Sequence, residues 1–354
     1  MPKLRISVVQ YLNTSPLVWG FTHGLLAGKY DLSFTVPSQC AEALRAGEVD
    51  IAIIPAIEYQ RIEDLVILPD LAIASKRRVR SLLLISKVPI APARELQAGE
   101  IPEGPRSIAL DRSSRSTQAL TKILCARHWR IAPQFQEVAP DLGEMLAAND
   151  AALLIGDPAL RVSLAIEPSL LLYRSVPDRS VSMTRPGSAG IPAGGFSSIS
   201  GQSAKQLDGA VVCDATTLGI AGTEKLYVYD IVEQWRAMTG LSAVLAVWAA
   251  RPAVATPEVV ANFHASRAFG LLNLPELCDE AAAQLQLPAA DLQSYLTDNI
   301  DFTLDEENVA GLSKYFEEAA ALKLTPAAKP VLLAPGPQSV VLEATSAAFA
   351  KPRR

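Results

Sequence analysis

Three short segments concentrate the residue types that bind small anions or move protons. The first is Tyr11-Leu12-Asn13-Thr14-Ser15-Pro16-Leu17, which follows the β-branched run Ile6-Ser7-Val8-Val9. A strand that ends in amide and hydroxyl side chains, with a proline next, is the pattern of a tight loop feeding a helix. Pro16 suits the first helical turn, and Thr14 or Ser15 suits the cap. Backbone N–H groups and short polar side chains then converge on one small space, which fits a carboxylate or a phosphate. The second segment is Leu110-Asp111-Arg112-Ser113-Ser114-Arg115-Ser116-Thr117. Capping by Ser114 or Ser116 accounts for one hydroxyl; the surplus, with arginine charge beside it, favours anion binding at a helix start. The third is Leu153-Leu154-Ile155-Gly156-Asp157-Pro158. Asp157 reads first as a cap for the helix that follows, with a catalytic carboxylate as the alternative. Glu58, after Pro55-Ala56-Ile57, is open in the same way.

Other chemistries lack their residues. The sequence has no Ser-His-Asp set, no Walker loop and no glycine-rich dinucleotide fingerprint. The three histidines (His23, His128, His264) and four cysteines (Cys40, Cys125, Cys213, Cys278) are scattered, which argues against a metal site and against a disulfide framework. A formal net charge of -5 with 19% charged residues argues against nucleic acid as a partner. The basic run Lys76-Arg77-Arg78-Val79-Arg80 reads as a solvated loop, with attraction of an anionic ligand as its secondary reading. Gln10 and Asn13 interrupt the N-terminal apolar residues before a secretory core can form, and no apolar run is long enough for a membrane span. The expected location is cytoplasmic.

The elements that must position these segments alternate. Short apolar runs bounded by turn residues, at 49–54, 82–85, 107–110, 151–155 and 243–248, have the pattern of strands buried on both faces. Helical spacing fills the gaps. Ser38 is placed to cap a helix carrying Ala41 and Leu44 that Gly47 ends; residues 116–128 align Leu120, Ile123 and Leu124. Residues 257–269 carry Val259, Val260 and Phe263 with Gly270 as the expected stop, and Val309, Leu312, Phe316 and Ala319 share one face. The alternation predicts an α/β protein. A Gly/Ser/Pro-rich stretch near 185–205 reads as a mobile insertion, and the Ala- and Pro-rich tail after Thr325 as loosely held at its end.

Taken in order, Tyr11-Leu12-Asn13-Thr14-Ser15-Pro16-Leu17, Gly47-Glu48-Val49-Asp50, Ile54-Pro55-Ala56-Ile57-Glu58-Tyr59, Val79-Arg80-Ser81, Ser114-Arg115-Ser116-Thr117, Leu154-Ile155-Gly156-Asp157 and Trp235-Arg236-Ala237-Met238-Thr239-Gly240 resemble the chorismate dehydratase family. The resemblance runs from Leu4 to about residue 320. It implies a two-lobe type II periplasmic-binding-protein-like fold, with mixed, mostly parallel sheets and a cleft between the lobes. The division it implies is residues 1–85 plus 244–325 for one lobe and 86–243 for the other, with an insertion within 174–225 and a tail over 326–354. The activity implied is loss of water from chorismate to give 3-[(1-carboxyvinyl)oxy]benzoate, the opening step of the futalosine route to menaquinone, without metal or organic cofactor. Carried over by position, Asn13 and Ser81 are the catalytic pair. Tyr11, Ser114, Arg115, Ser116, Thr117, Gly156 and Asp157 form the substrate-binding set. A non-catalytic small-anion-binding protein, or a ligand sensor of the same fold, is the alternative. The matched motifs contain no histidine, which points to the substrate's own enolpyruvyl carboxylate as the base.

Overall fold

The computed structural model describes residues 3–90, 103–174, 206–207 and 209–336. The chain opens with β1 (Arg5–Val9), a 3-10 turn (Leu12–Thr14), α1 (Ser15–Thr22), β2 (Asp31–Thr35), α2 (Pro37–Ala46), β3 (Ile51–Pro55), α3 (Ala56–Arg61) and β4 (Val66–Ser75). Residues 76–81 then cross to a second lobe. It contains β5 (Leu82–Ser86), β6 (Ser107–Asp111), α4 (Arg115–Ile123) with a π-helical continuation (Leu124–Trp129), β7 (Gln134–Val138), α5 (Leu142–Ala148) and β8 (Ala151–Ile155). It continues with α6 (Gly156–Arg174), β9 (Gln206–Leu207), β10 (Ala210–Asp214), β11 (Lys225–Asp230) and α7 (Ile231–Thr239). The chain returns through β12 (Ala243–Ala250) to α8 (Pro257–Leu272), α9 (Leu274–Leu285), α10 (Ala289–Ser294), a π-helical turn (Tyr295–Asn299) and α11 (Glu306–Ala321).

Each lobe is built on one mixed sheet, in the orders β2-β1-β3-β12-β4 and β7-β6-β8-β5-β11-β10-β9. The two-lobe α/β architecture is the expected one, but parallel pairing does not dominate. It is confined to β1 with β2 and β3, and to β6 with β7 and β8; β12 and β5 pair antiparallel with both of their neighbours. Parallel neighbours require a helical crossover on the same sheet. Strands β5 and β12 arrive from the other lobe instead.

Sheet membership also moves the expected boundary. Leu82, Leu83, Leu84 and Ile85 are ladder residues of the second sheet, so the chain changes lobe at 76–81 rather than after residue 85. Within the expected insertion, β9, β10 and the start of β11 are rungs of that same sheet, not a peripheral addition; residues 175–205 lie outside the described residues. The start of the tail lies along β4, where Ile67 N–H donates to Leu332 O and Ala334 N–H to Ile67 O, each at 2.8 Å. Residues 337–354 are outside the described part. No described helix is long and apolar enough to cross a membrane.

Strands β3, β5, β8 and β12 are buried almost without interruption, which is why they read as unbroken apolar runs. Helix starts follow capping chemistry. Thr256 accepts from Val259 N–H with Pro257 at the first position, and Asp305 accepts from Asn308 N–H at 2.9 Å. Val36, not Ser38, occupies the N-cap position of α2, because Pro37 already opens the helix. Helix α8 runs through Gly270 instead of stopping there. That glycine serves a close approach: a Cβ at Gly270 would stand 2.1 Å from the Pro16 carbonyl oxygen of α1. Replacing Gly270 with Ala is therefore expected to destabilise the fold by about 1–3 kcal/mol in denaturant unfolding, because overpacking outweighs the helix-propensity gain. Unchanged stability would contradict this packing.

Candidate active site

The C-terminal ends of β1, β3 and β8, the first residue of β5 and the start of α4 meet between the lobes. Tyr11, Asn13, Ser114, Thr117 and Gly156 form the polar part of a cavity there, and Pro37, Pro55, Ile73, Leu82, Ile155 and Leu245 form most of its apolar wall. The cavity is about 40 Å³, which is room for very few water molecules.

The turn carrying Asn13 is held from the opposite lobe on two sides. Tyr11 Oη and Ser113 Oγ are 3.2 Å apart, and Leu12 N–H donates to Asp157 Oδ1 at 3.2 Å. Ser113 in turn donates to Asp111 Oδ1 through both its N–H (2.9 Å) and its hydroxyl (2.6 Å). The other Asp111 oxygen, Oδ2, is buried with no hydrogen-bond partner among the described residues. Burial pushes the Asp111 carboxyl upward against the pull of the Ser113 bonds. Thr14 takes the N-cap position of α1 without making a side-chain capping bond; its hydroxyl points instead to Asn13 Oδ1 at 3.5 Å.

Gly156 shows why no other residue fits its place. Its φ is +63°, and a Cβ would lie 2.9 Å from the Tyr11 ring. Its N–H donates to Ser81 O at 2.8 Å, which joins the start of α6 to the crossover. Asp157 follows, and its bond to Leu12 makes it a tie between lobes.

The hydroxyl and arginine cluster of α4 divides. Ser114 is the N-cap, accepting from Thr117 N–H at 3.5 Å with the two hydroxyls 3.0 Å apart, and both side chains face the cavity. Ser116 does not face it. Its hydroxyl oxygen accepts from Ile57 N–H at 3.1 Å, and its carbonyl accepts from the Tyr315 hydroxyl at 3.0 Å. Arg115 is turned away to Glu42 (2.6 Å) and Glu58 (3.2 Å). Glu58 is completely buried and also meets Arg45 and Arg61, so Arg115 serves as counter-ion to a buried carboxylate.

Ser81 is wholly buried and stands behind the cavity lining. Its hydroxyl oxygen accepts from Tyr295 Oη at 2.8 Å. Asp230 fixes the chain just before it: Val79 N–H (3.0 Å) and Arg80 N–H (2.7 Å) both donate to Asp230 Oδ2. The basic run is committed likewise, with Lys76 beside Asp301 and Asp305, Arg78 beside Asp230 and Glu233, and Arg80 buried near Ser163. Sequence reasoning missed Tyr295 and Asp230. An Asp directly ahead of an amphipathic helix was a usable signal for Asp230; Tyr295 has no local signature.

Burial raises the Asp157 carboxyl to about 6, opposed by the Leu12 N–H bond and the Arg161 charge. That is above the value of about 3.9 for an unfolded aspartate. A raised carboxyl contributes stability that is complete below the unfolded value and is lost as pH rises through the folded one. Asp157→Asn keeps an acceptor for Leu12 N–H without the charge. It is expected to stabilise the protein by about 2 kcal/mol at pH 8, with the gain gone below pH 4. Melting curves at the two pH values check this, and a gain independent of pH would refute the assignment.

Residues 4–171 and 196–321 match the model of a family described as menaquinone biosynthesis. The chorismate dehydratase of Thermus thermophilus is 28% identical over 323 residues, spanning 91% of this chain and 96% of that protein. Among solved structures, an Archaeoglobus fulgidus protein is similar with a TM-score of 0.56 at 16% identity, covering 91% of this chain and 98% of its own. A Bordetella bronchiseptica RB50 protein has a TM-score of 0.50 at 12% identity, covering 90% and 89%. These two likenesses concern the fold. The family model covers strands of both sheets and every polar residue of the cavity, and on that match the chain belongs to the menaquinone-biosynthesis family.

Proposed function

We propose that the protein is a chorismate dehydratase, a hydro-lyase that converts chorismate to 3-[(1-carboxyvinyl)oxy]benzoate and water. The observation that carries this reading is the composition of the cavity wall. Ser114 and Thr117 at the start of α4 offer hydroxyls for a carboxylate, Asn13 faces them from the other lobe, and the remaining wall is apolar enough for a ring.

The reaction removes the C3 proton and the C4 hydroxyl, and the new aromatic ring supplies the driving force. The protein must hold the dianion in one reactive conformer and guide one proton. Among the described lining residues Tyr11 is the single titratable side chain. Burial pushes its hydroxyl up to about 12, so at neutral pH it is a phenol and not a base. Asp157 already accepts from Leu12 N–H. The base is then the substrate's enolpyruvyl carboxylate. It takes the C3 proton, the ring electrons expel the C4 hydroxyl, and the same proton completes the departing water. Asn13 orients these oxygens from the cavity wall, with Ser81 behind it.

Incubating the purified protein with chorismate, without added cofactor, is expected to produce the ultraviolet change of an enolpyruvyl benzoate. Asn13→Leu is expected to lower turnover by about 100-fold, the scale of a misplaced reactant. Ser114→Ala is expected chiefly to raise KM, by about tenfold, through loss of one hydrogen bond to a charged group. Chorismate binding without turnover in the unsubstituted protein would favour a carrier or sensor instead. Neither binding nor turnover would remove chorismate from consideration.

A further inference from the structure

Asp111 is a buried carboxyl that stands two hydrogen bonds away from a residue of the cavity wall. It ends β6 and is 1% exposed. Its Oδ1 accepts from Ser113 N–H at 2.9 Å and from Ser113 Oγ at 2.6 Å, while its Oδ2 has no partner among the described residues. Ser113 Oγ lies 3.2 Å from the hydroxyl of Tyr11, which lines the cavity from the other lobe. The backbone under this series is fixed as well. Asp111 O accepts from Gln118 Nε2 at 3.0 Å, and Ser113 O accepts from Ser38 N–H at 3.0 Å. The Tyr11 ring itself packs so closely on Gly156 that a Cβ there would not fit.

The series has one direction. A hydroxyl has a single hydrogen to give. Asp111 Oδ1 is an acceptor in either protonation state, because Ser113 N–H already points at it and a carboxyl proton would sit on the free Oδ2. Ser113 therefore gives its hydrogen to Asp111, and its oxygen accepts from Tyr11. The Tyr11 hydrogen is committed to Ser113 and withheld from any ligand. Toward a ligand, Tyr11 Oη is left with lone pairs alone, which accept from a hydroxyl and repel a carboxylate. Ser114 and Thr117 have the opposite preference. Their two hydroxyls are 3.0 Å apart and share one hydrogen, so the second is left to give to a carboxylate.

We infer that Asp111 and Ser113 are positioning residues that make Tyr11 the acceptor for the substrate's C4 hydroxyl, so that the cavity sorts hydroxyl from carboxylate. The inference rests on the dehydratase reading above. A C4 hydroxyl that gives its hydrogen to Tyr11 keeps its lone pairs for the proton taken from C3 and delivered by the enolpyruvyl carboxyl. The C4–O bond then breaks and the oxygen leaves as water. Tyr11, Ser113 and Asp111 hold their own protons throughout.

The test uses the full chain, chorismate, and the aromatic product, which keeps both carboxylates but has no hydroxyl at C4. Tyr11→Phe is expected to lower kcat/KM by about tenfold through loss of one hydrogen bond, while the product's Kd stays within about threefold. Ser113→Ala is expected to show the same pattern. Added to Tyr11→Phe it is expected to cost less than about twofold more, because Ser113 acts through Tyr11. Asp111→Leu deprives Ser113 of its acceptor and is expected to match Ser113→Ala. Asp111→Asn is expected to stay within about threefold of the unsubstituted protein, because Ser113 N–H selects the amide oxygen at that place. Should Asp111→Leu fail to fold, the Tyr11 and Ser113 variants carry the test. Product binding that weakens as much as kcat/KM falls would reduce the series to a tie between lobes and overturn the inference. Undiminished kcat/KM in Tyr11→Phe, multiplicative losses in the double variant, or a folded Asp111→Asn as slow as Ser113→Ala would also overturn it. Each of these leaves the dehydratase reading intact. An unsubstituted protein that does not turn over chorismate would overturn both.

Discussion

The carboxylate of Asp230 holds the passage between the lobes in place. One of its oxygens accepts from Val79 and Arg80 N–H, and the other from Val232 and Glu233 N–H at the start of α7. The residue is buried, and burial drives its carboxyl upward while the backbone donors act against that shift. Four donors on one buried group compensate much of the cost of removing it from water. They also fix Arg80 at φ +64°, a left-handed conformation that a non-glycine residue keeps only when its surroundings demand it. Ser81 and β5 follow directly.

A second set of buried charges joins the lobes at the other side of α4. Glu58 lies in α3 with no exposure and is met by Arg45, Arg61 and Arg115, the last contributed by the second lobe. Removing one arginine leaves the buried charge short of a partner, which is why Arg115 is bound to a structural role despite its place beside two cavity hydroxyls. Ser116 is engaged in the same way by Ile57. The outer side chains of the Ser114-Arg115-Ser116-Thr117 segment thus face the cavity, and the middle two serve lobe packing.

The legible parts of the fold were those with full burial. Strands β3, β5, β8 and β12 lie inside both sheets and must be apolar at every position, so they stood out as continuous runs. The edge strands β2 and β7 are largely exposed, and Gln134-Phe135-Gln136-Glu137-Val138 carries no apolar run to mark it. Strand direction was overestimated toward parallel because alternation with helices says nothing about strands that enter from the other lobe. At the cavity, Asn13, Ser114, Thr117 and Gly156 sit at strand-to-helix junctions where polarity breaks an apolar pattern, and that break is visible locally. Which hydroxyl of the α4 cluster turns inward depends on Ile57, Glu42 and Glu58, all distant in sequence. Tyr295 was hidden for the same reason: its single relevant contact is with Ser81, more than two hundred residues away.

The small cavity between the lobes has a consequence for traffic. Asn13 stands on a turn whose two outer supports, Ser113 and Asp157, belong to the opposite lobe. When the lobes part to admit or release a molecule, both supports are withdrawn and the Asn13 turn loses its fixed setting. The separated form can exchange molecules with solvent but cannot hold one in register, and the joined form can do the reverse.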